Sequence, residues 1–221
     1  MPKICMTTEA KICGIKTRDA LDAAIDGGAD YVGLVFCSKS PRHLEVDEAR
    51  KLAEYARGRV KIVALTVDAG DAALEKIIDE VAPDFLQLHG HETPERVAAI
   101  KQKFGRPVIK AVPVATAKDA ALAHDFANIA NLILFDAKAP PGAPLPGGNG
   151  VAFDWLALEE VSRKQPFMLS GGLTPETVSE AIRVTGAGAV DVSSGVESAP
   201  GVKDPELIRR FLHAVKTAKQ R

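Results

Sequence analysis

Cysteine, aromatic residues and net charge are all scarce in this chain of 221 residues, and each scarcity excludes something. The three cysteines, Cys5, Cys13 and Cys37, are an odd number without the spacing of a disulfide framework. Reduced thiols in a cytoplasmic protein are the expectation. Aromatics make up 5%, too few for a base-stacking surface, and a formal net charge of −1 supplies no field for a polyanion or an anionic bilayer. Neither nucleic acid nor membrane is therefore expected as a partner. The N-terminus lacks the apolar core of a signal peptide, and no apolar run is long enough to span a bilayer. Low-complexity segments and linkers are missing too. What remains is an ordinary globular balance, 46% apolar and 26% charged, with length enough for one large core.

Residues 1–9 read as a loose leader, in which Lys3-Ile4-Cys5 echoes Lys11-Ile12-Cys13. Only the second copy runs on into a helix start, at Thr17. From Ala10 the chain alternates short apolar runs with helical patterns. Strands are expected at Ala10–Cys13, Tyr31–Phe36, Lys61–Thr66, Phe85–Leu88, Val108–Val112, Leu132–Asp136, Phe167–Leu169 and Val190–Val192. Helices are expected at Arg18–Asp26, Asp47–Ala56, Asp71–Val81, Pro94–Phe104, Lys118–His124 (the weakest), Trp155–Arg163, Glu176–Val184 and Pro205–Lys216. Near-continuous apolar strands are what a buried parallel sheet requires. Eight even βα repeats close into a (β/α)8 TIM barrel, a single α/β domain over residues 10–221. An open doubly wound sheet would not repeat so evenly without a domain boundary. The one long loop, Ala137–Gly150, follows the sixth strand at the barrel mouth and reads as a lid that excludes water.

The stretch Phe167–Glu197 organises the rest. Both of its strands break at small residues, Ser170-Gly171-Gly172 and Ser193-Ser194-Gly195, with Thr174 and Pro175 suited to cap and open the next helix. Ordinary βα turns would also carry such glycines. Paired after strands seven and eight of a barrel, however, free amides and hydroxyls form a cup for a phosphate dianion.

Active sites in this fold lie at the C-terminal ends of the strands. That leaves Cys13, the Ser40-Pro41-Arg42 loop, Asp68, Gln87, His89, Lys110, Asp136 and Asp191. Cys13 is either a small buried hydrophobe or a thiolate base, its pKa lowered by helix N-termini around the cup. Asp136 opens the lid loop too far upstream of any helix to be a cap, which favours a catalytic or binding carboxylate. Arg42 is either a solvated arginine or a clamp for a carboxylate. His89 and His91 form a thin metal signal without a third ligand, so no metal is expected. Lys110 is either a Schiff-base nucleophile or half of an ion pair. His43, His124 and His213 read as surface. Around a closed rim Asp136 falls on one side of the cup and Cys13 on the other, with Arg42 one strand further. A phosphosugar held by its phosphate would then lie between an acid and a base, the geometry of an aldose–ketose isomerisation.

At this point the motifs match a known family. Lys11-Ile12-Cys13-Gly14-Ile15, Gly33-Leu34-Val35-Phe36 with Ser40-Pro41-Arg42, Gln87-Leu88-His89-Gly90, Leu134-Phe135-Asp136, Gly147-Gly148-Asn149-Gly150, Ser170-Gly171-Gly172-Leu173 and Asp191–Glu197 occur in one order. The chain resembles phosphoribosylanthranilate isomerase from Lys11 onward, departing at Lys16 and Asn149. The resemblance implies an Amadori rearrangement in tryptophan biosynthesis, with no cofactor, by a monomer or homodimer. It makes Asp136 the general acid and Cys13 the general base. Arg42 would hold the anthranilate carboxylate, Gly171, Gly172, Ser193, Ser194 and Gly195 the phosphate, Asp191 a group near the amine, and His89 the pocket wall. The free pKa values, about 3.9 for Asp and 8.5 for Cys, run opposite to those roles at pH 7. The lid is expected to raise the first and the helix ends to lower the second. Two rivals stand beside this: an aldolase using Lys110, and a phosphate-binding barrel without chemistry.

Overall fold

A computed structural model describes residues 8–140, 142–143, 147–148, 150, 152–162 and 166–218. Residues 1–7 of the leader, Cys5 among them, and Asn149, Arg163 and part of the lid loop lie outside the described residues. Eight parallel strands form a closed barrel in sequence order. They are β1 (Glu9–Cys13), β2 (Tyr31–Phe36), β3 (Lys61–Thr66), β4 (Phe85–Leu88), β5 (Val108–Val114), β6 (Leu132–Ala137), β7 (Phe167–Leu169) and β8 (Ala189–Val192). Around them lie α1 (Arg18–Gly27), α2 (Val46–Ala56), α3 (Asp71–Val81), α4 (Pro94–Phe104), α5 (Ala117–Ala121), α6 (Glu159–Ser162), α7 (Val178–Thr185) and α8 (Pro205–Thr217).

Side-chain alternation decides which residues meet inside. Tyr31, Val63, Ile109, Ala111, Leu134, Met168 and Ala189 pack in the lower barrel, while their strand neighbours face the helices. The seam closes where β1 pairs with β8, and Lys11 lies level with both Tyr31 and Asp191. The ring is pinned outside by α8, whose Ile208, Phe211, Leu212 and Val215 are all buried. Each such side chain is worth about 1.5–3 kcal/mol on burial.

Most expected elements form within a residue or two of their bounds. Strand β1 starts a residue earlier than expected, with the amide of Glu9 donating to the Gly188 carbonyl at 2.9 Å. The weak fifth helix is short and continues as a 3₁₀ turn, Leu122–Phe126; the sixth opens with one, Trp155–Leu158. The Thr174 cap is misplaced in the sequence reading. Its hydroxyl accepts from the Glu176 amide at 3.2 Å in a preceding turn, and α7 begins only at Val178. An unexpected feature follows β8. A 3₁₀ turn, Ser194–Val196, leads into a hairpin of β9 (Glu197–Ala199) and β10 (Val202–Lys203), turned by Pro200-Gly201. No helix among the described residues is long and apolar enough to cross a membrane.

Candidate active site

The cavity at the C-terminal ends of the strands is lined by Cys13, Arg42, His89, Asp136, Asp191 and the small residues after β7 and β8. Val35, Leu65 and Val67 give it an apolar flank against Cys13. Gly147 and Gly148, at the far end of the lid loop, complete the wall, Gly147 against Asp136 and His89 and Gly148 against Arg42.

Asp136 is the penultimate residue of β6 and is 5% exposed. Its Oδ1 accepts from the Ala137 amide at 2.9 Å, and Oδ2 lies 3.1 Å from His89 Nε2. Gln87, two residues back on the same inward face of β4, brings its amide nitrogen to 3.0 Å from His89 Nδ1. Gln87 and Asp136 thus hold the imidazole between them, and the imidazole in turn orients the Asp136 carboxyl. His91 turns away, 91% exposed at its side chain and paired with Asp68. The two histidines therefore do not converge, and Asp68 ties the loops outside the cavity, its own amide bonded to Glu92 at 3.0 Å. Among the described residues no three His, Cys, Asp or Glu side chains are grouped to hold a metal.

Across the cavity Cys13 is 4% exposed at the end of β1. Here an expectation fails. Burial pushes the thiol above its ordinary pKa. The ammonium groups of Lys11 and, more weakly, Lys203 oppose the rise, and Asp191 adds to it. Neither strand end of the cup opens directly into an α-helix: a three-residue 3₁₀ turn follows β8, and α7 starts only at Val178.

Arg42 is not the solvated side chain that its loop suggests. It is 6% exposed, and its Nε and Nη2 grip Glu197 of β9 at 2.7 and 2.8 Å. Glu197 also takes Lys203 Nζ at 2.5 Å, so one buried carboxylate bridges two cations. Burial pushes Glu197 up, but the Arg42 hydrogen bonds and the Lys203 charge prevail and hold its carboxyl below the usual range. Burial also pulls the Lys203 ammonium below its usual value, with Glu197 opposing.

At the cup, Gly171 and Gly172 take φ of 89° and 66° and line the cavity with Ser194. Ser193 also lines it, but its hydroxyl donates to the Cys13 carbonyl at 3.1 Å. Gly195 lies outside the lining residues; a Cβ there would collide with the Leu173 carbonyl, so it permits a close backbone approach. Asp191 is 4% exposed; its Oδ1 accepts from Lys11 Nζ at 2.9 Å and its Oδ2 from Ser170 Oγ at 3.4 Å. Lys110 belongs elsewhere. Its neighbours Ile109 and Ala111 point inward, so it points out, with Nζ held by Leu88 and Gly90 carbonyls at 3.2 and 2.8 Å and by Glu92 at 3.0 Å. It borders a neighbouring cavity rather than this one. His124 and His213 are exposed as expected, but His43 is partly buried beside β2.

Lys11, Glu197, Lys203 and Gly33 escaped the sequence reading as site residues. Lys11 had a signal: a lysine inside an apolar strand, two residues before Cys13 and so on the same face. Lys203 had none, since a hairpin delivers it.

The comparisons with known proteins converge. A family profile described as N-(5'phosphoribosyl)anthranilate (PRA) isomerase matches residues 10–214. The N-(5'-phosphoribosyl)anthranilate isomerase of Rhodopseudomonas palustris (strain BisA53) is 57% identical over 97% of this chain and 99% of its own length. That of Bradyrhizobium diazoefficiens is 54% identical over 96% and 95%. The crystal structure of phosphoribosyl anthranilate isomerase from Thermotoga maritima superposes with a TM-score of 0.86 at 36% identity, over 95% of this chain and 98% of that one. A second such structure, in complex with reduced 1-(o-carboxyphenylamino)-1-deoxyribulose 5-phosphate, gives 0.83 at 33% over the same shares. A 2-keto-3-deoxy-6-phospho-gluconate aldolase from Zymomonas mobilis, 17% identical with a TM-score of 0.63, shares the fold alone.

Proposed function

The chain belongs to the N-(5'-phosphoribosyl)anthranilate isomerase family, and from that membership we propose how its residues divide the reaction. The activity is the Amadori rearrangement of N-(5-phosphoribosyl)anthranilate to 1-(2-carboxyphenylamino)-1-deoxyribulose 5-phosphate, a step of tryptophan biosynthesis. The phosphate sits in the cup of Gly171, Gly172, Ser193 and Ser194, with Gly195 shaping the turn behind it. Asp136, oriented by His89, gives its proton to the ribose ring oxygen. The C1′–O bond breaks and the nitrogen lone pair closes a Schiff base. The Cys13 thiolate takes the C2′ proton, and the C–H electron pair forms the enolamine. Loss of the enol proton and protonation of C1′ yield the ketone. Arg42, held flat by Glu197, presents Nη1 to the anthranilate carboxylate, and Asp191 lies near the amine.

The observation that carries this reading is that Cys13 and Asp136 line one cavity together with the small-residue ends of β7 and β8. The substrate nitrogen is itself the electron sink, so the steps call for no organic cofactor. The chain acts in the cytoplasm, a setting suited to its unpaired Cys13 and Cys37, as a monomer or a homodimer. Purified protein should abolish the fluorescence of the substrate at a rate proportional to enzyme. Phosphate binding without turnover would instead favour a barrel that has kept the cup and lost the chemistry.

A further inference from the structure

The acid–base division leaves a difficulty at Cys13. A base must ionise, yet this thiol is buried against Val35 and Leu65, and burial opposes its charge. One buried group next to it has no other evident task. Lys11 is fully buried in the barrel interior, 0% exposed. Replacing a buried ion pair by apolar side chains of like volume is often neutral or stabilising, so the Lys11–Asp191 pair is a poor device for stability alone.

Its placement relates it to Cys13. The two residues share the inward face of β1, and both reach over the same spot on β2. That spot is Gly33, where a Cβ would lie 2.9 Å from Cys13 Sγ and 3.3 Å from Lys11 Cε. A glycine in mid-strand weakens a sheet, and here it clears the room in which thiol and lysine stem come together. Lys11 Nζ donates to Asp191 at 2.9 Å; it has further donors, and the thiolate is an acceptor for one.

The other charges near Cys13 do not take this place. Lys203 lies behind Ser193, with Nζ occupied by the Ser193 carbonyl at 3.0 Å, its hydroxyl at 3.2 Å and Glu197. Arg42 passes over Gly14 and is gripped by Glu197. Besides Gly33, the side of β2 and β3 and the residues just after them offers Val35, Leu65, Val67 and the half-buried Cys37, none of them charged like Lys11. Among the described residues Asp191 on β8 is the acid that acts on it, while Asp136 and His89 border the same cavity.

We propose that Lys11 is a positioning residue for the reaction, its buried ammonium placed under Cys13 to stabilise the thiolate. This rests on Cys13 being the base. Asp191 then has a second duty, keeping Lys11 charged while tempering its pull on the thiol. Burial works against the Lys11 ammonium, yet Asp191 and Cys13 outweigh it and hold its pKa above the ordinary value.

The test is the pH dependence of Cys13 alkylation by iodoacetamide, followed on the Cys13 peptide by mass spectrometry, alongside the acid limb of kcat. Lys11→Met should raise the midpoint by a pH unit or more, a tenfold loss of thiolate at pH 7, with kcat falling in step and product affinity within about twofold. Asp191→Asn should move the midpoint the opposite way, downward, and this arm stands by itself if the first variant does not fold. General loosening of the barrel would move both midpoints in one direction. Unmoved midpoints, or two shifts of the same sign, would overturn the role of Lys11. A midpoint that moves while the kcat limb stays fixed would overturn the assignment of Cys13 as base and leave the charge effect standing.

Discussion

Removing one carboxylate at the rim should cost this barrel a large part of its stability. Glu197 is 4% exposed at its side chain, and the Arg42 and Lys203 side chains that it bridges are 8% and 2% exposed. An exposed ion pair would be worth about 0–1 kcal/mol. Deleting one partner of a buried pair costs roughly 3–5 kcal/mol, because a charge is left behind without a counter-ion. Here two are left, so Glu197→Gln should fall in that range or beyond it. For a chain of this length the corresponding fall in Tm is about 6–20 °C, read by calorimetry at pH 7. The pH dependence gives a second reading. The folded pKa of Glu197 lies below its unfolded value, about 4.3, so its contribution is complete above that pH. It is lost as pH falls through the folded value. The gap between wild type and variant should therefore close in acid. A loss under about 1 kcal/mol, or a gap constant with pH, would show that the bridge does not hold the hairpin to the barrel as described.

Other perturbations read the substrate contacts. Arg42→Ala should weaken product binding by roughly 10–150-fold, the equivalent of a charge-assisted contact of about 1.5–3 kcal/mol, and unchanged affinity would remove the clamp. Inorganic phosphate should compete with substrate for the cup, and purely non-competitive inhibition would place the phosphate elsewhere. His89→Phe should lower kcat by about tenfold through loss of one hydrogen bond to Asp136, with KM little changed; a rise in KM alone would make His89 part of the binding wall instead.

The barrel was legible because eight apolar runs and their helices are local patterns, and the fold rule then places every strand end on one rim. Cys13, Asp136 and the paired glycine turns could be picked out for the same reason. Charge partners could not. Arg42 reads as solvated until a hairpin some 155 positions away brings Glu197 to it, and Lys203 arrives by the same route. Lys110 shows the limit at short range: a shift of one residue in a strand turns a side chain from cavity to helix layer, and the register is set by Ile109 and Ala111 packing inside. The direction of the Cys13 shift is not visible in the sequence because burial depth is a property of the closed barrel, and the Thr174 capping motif forms a turn ahead of α7.

The division of labour between acid and base is tested most directly by single-turnover kinetics on Cys13→Ala and Asp136→Asn, with product affinity measured on the same samples. Each variant should lose about 10²–10⁴-fold in the chemical step, the usual worth of a general acid or base, while binding product nearly as wild type does. Cys5→Ala, which alters the echoed string before the barrel, should react at the full rate. Full activity in Cys13→Ala, or an equal loss in Cys5→Ala, would contradict the placement of the base at the end of β1.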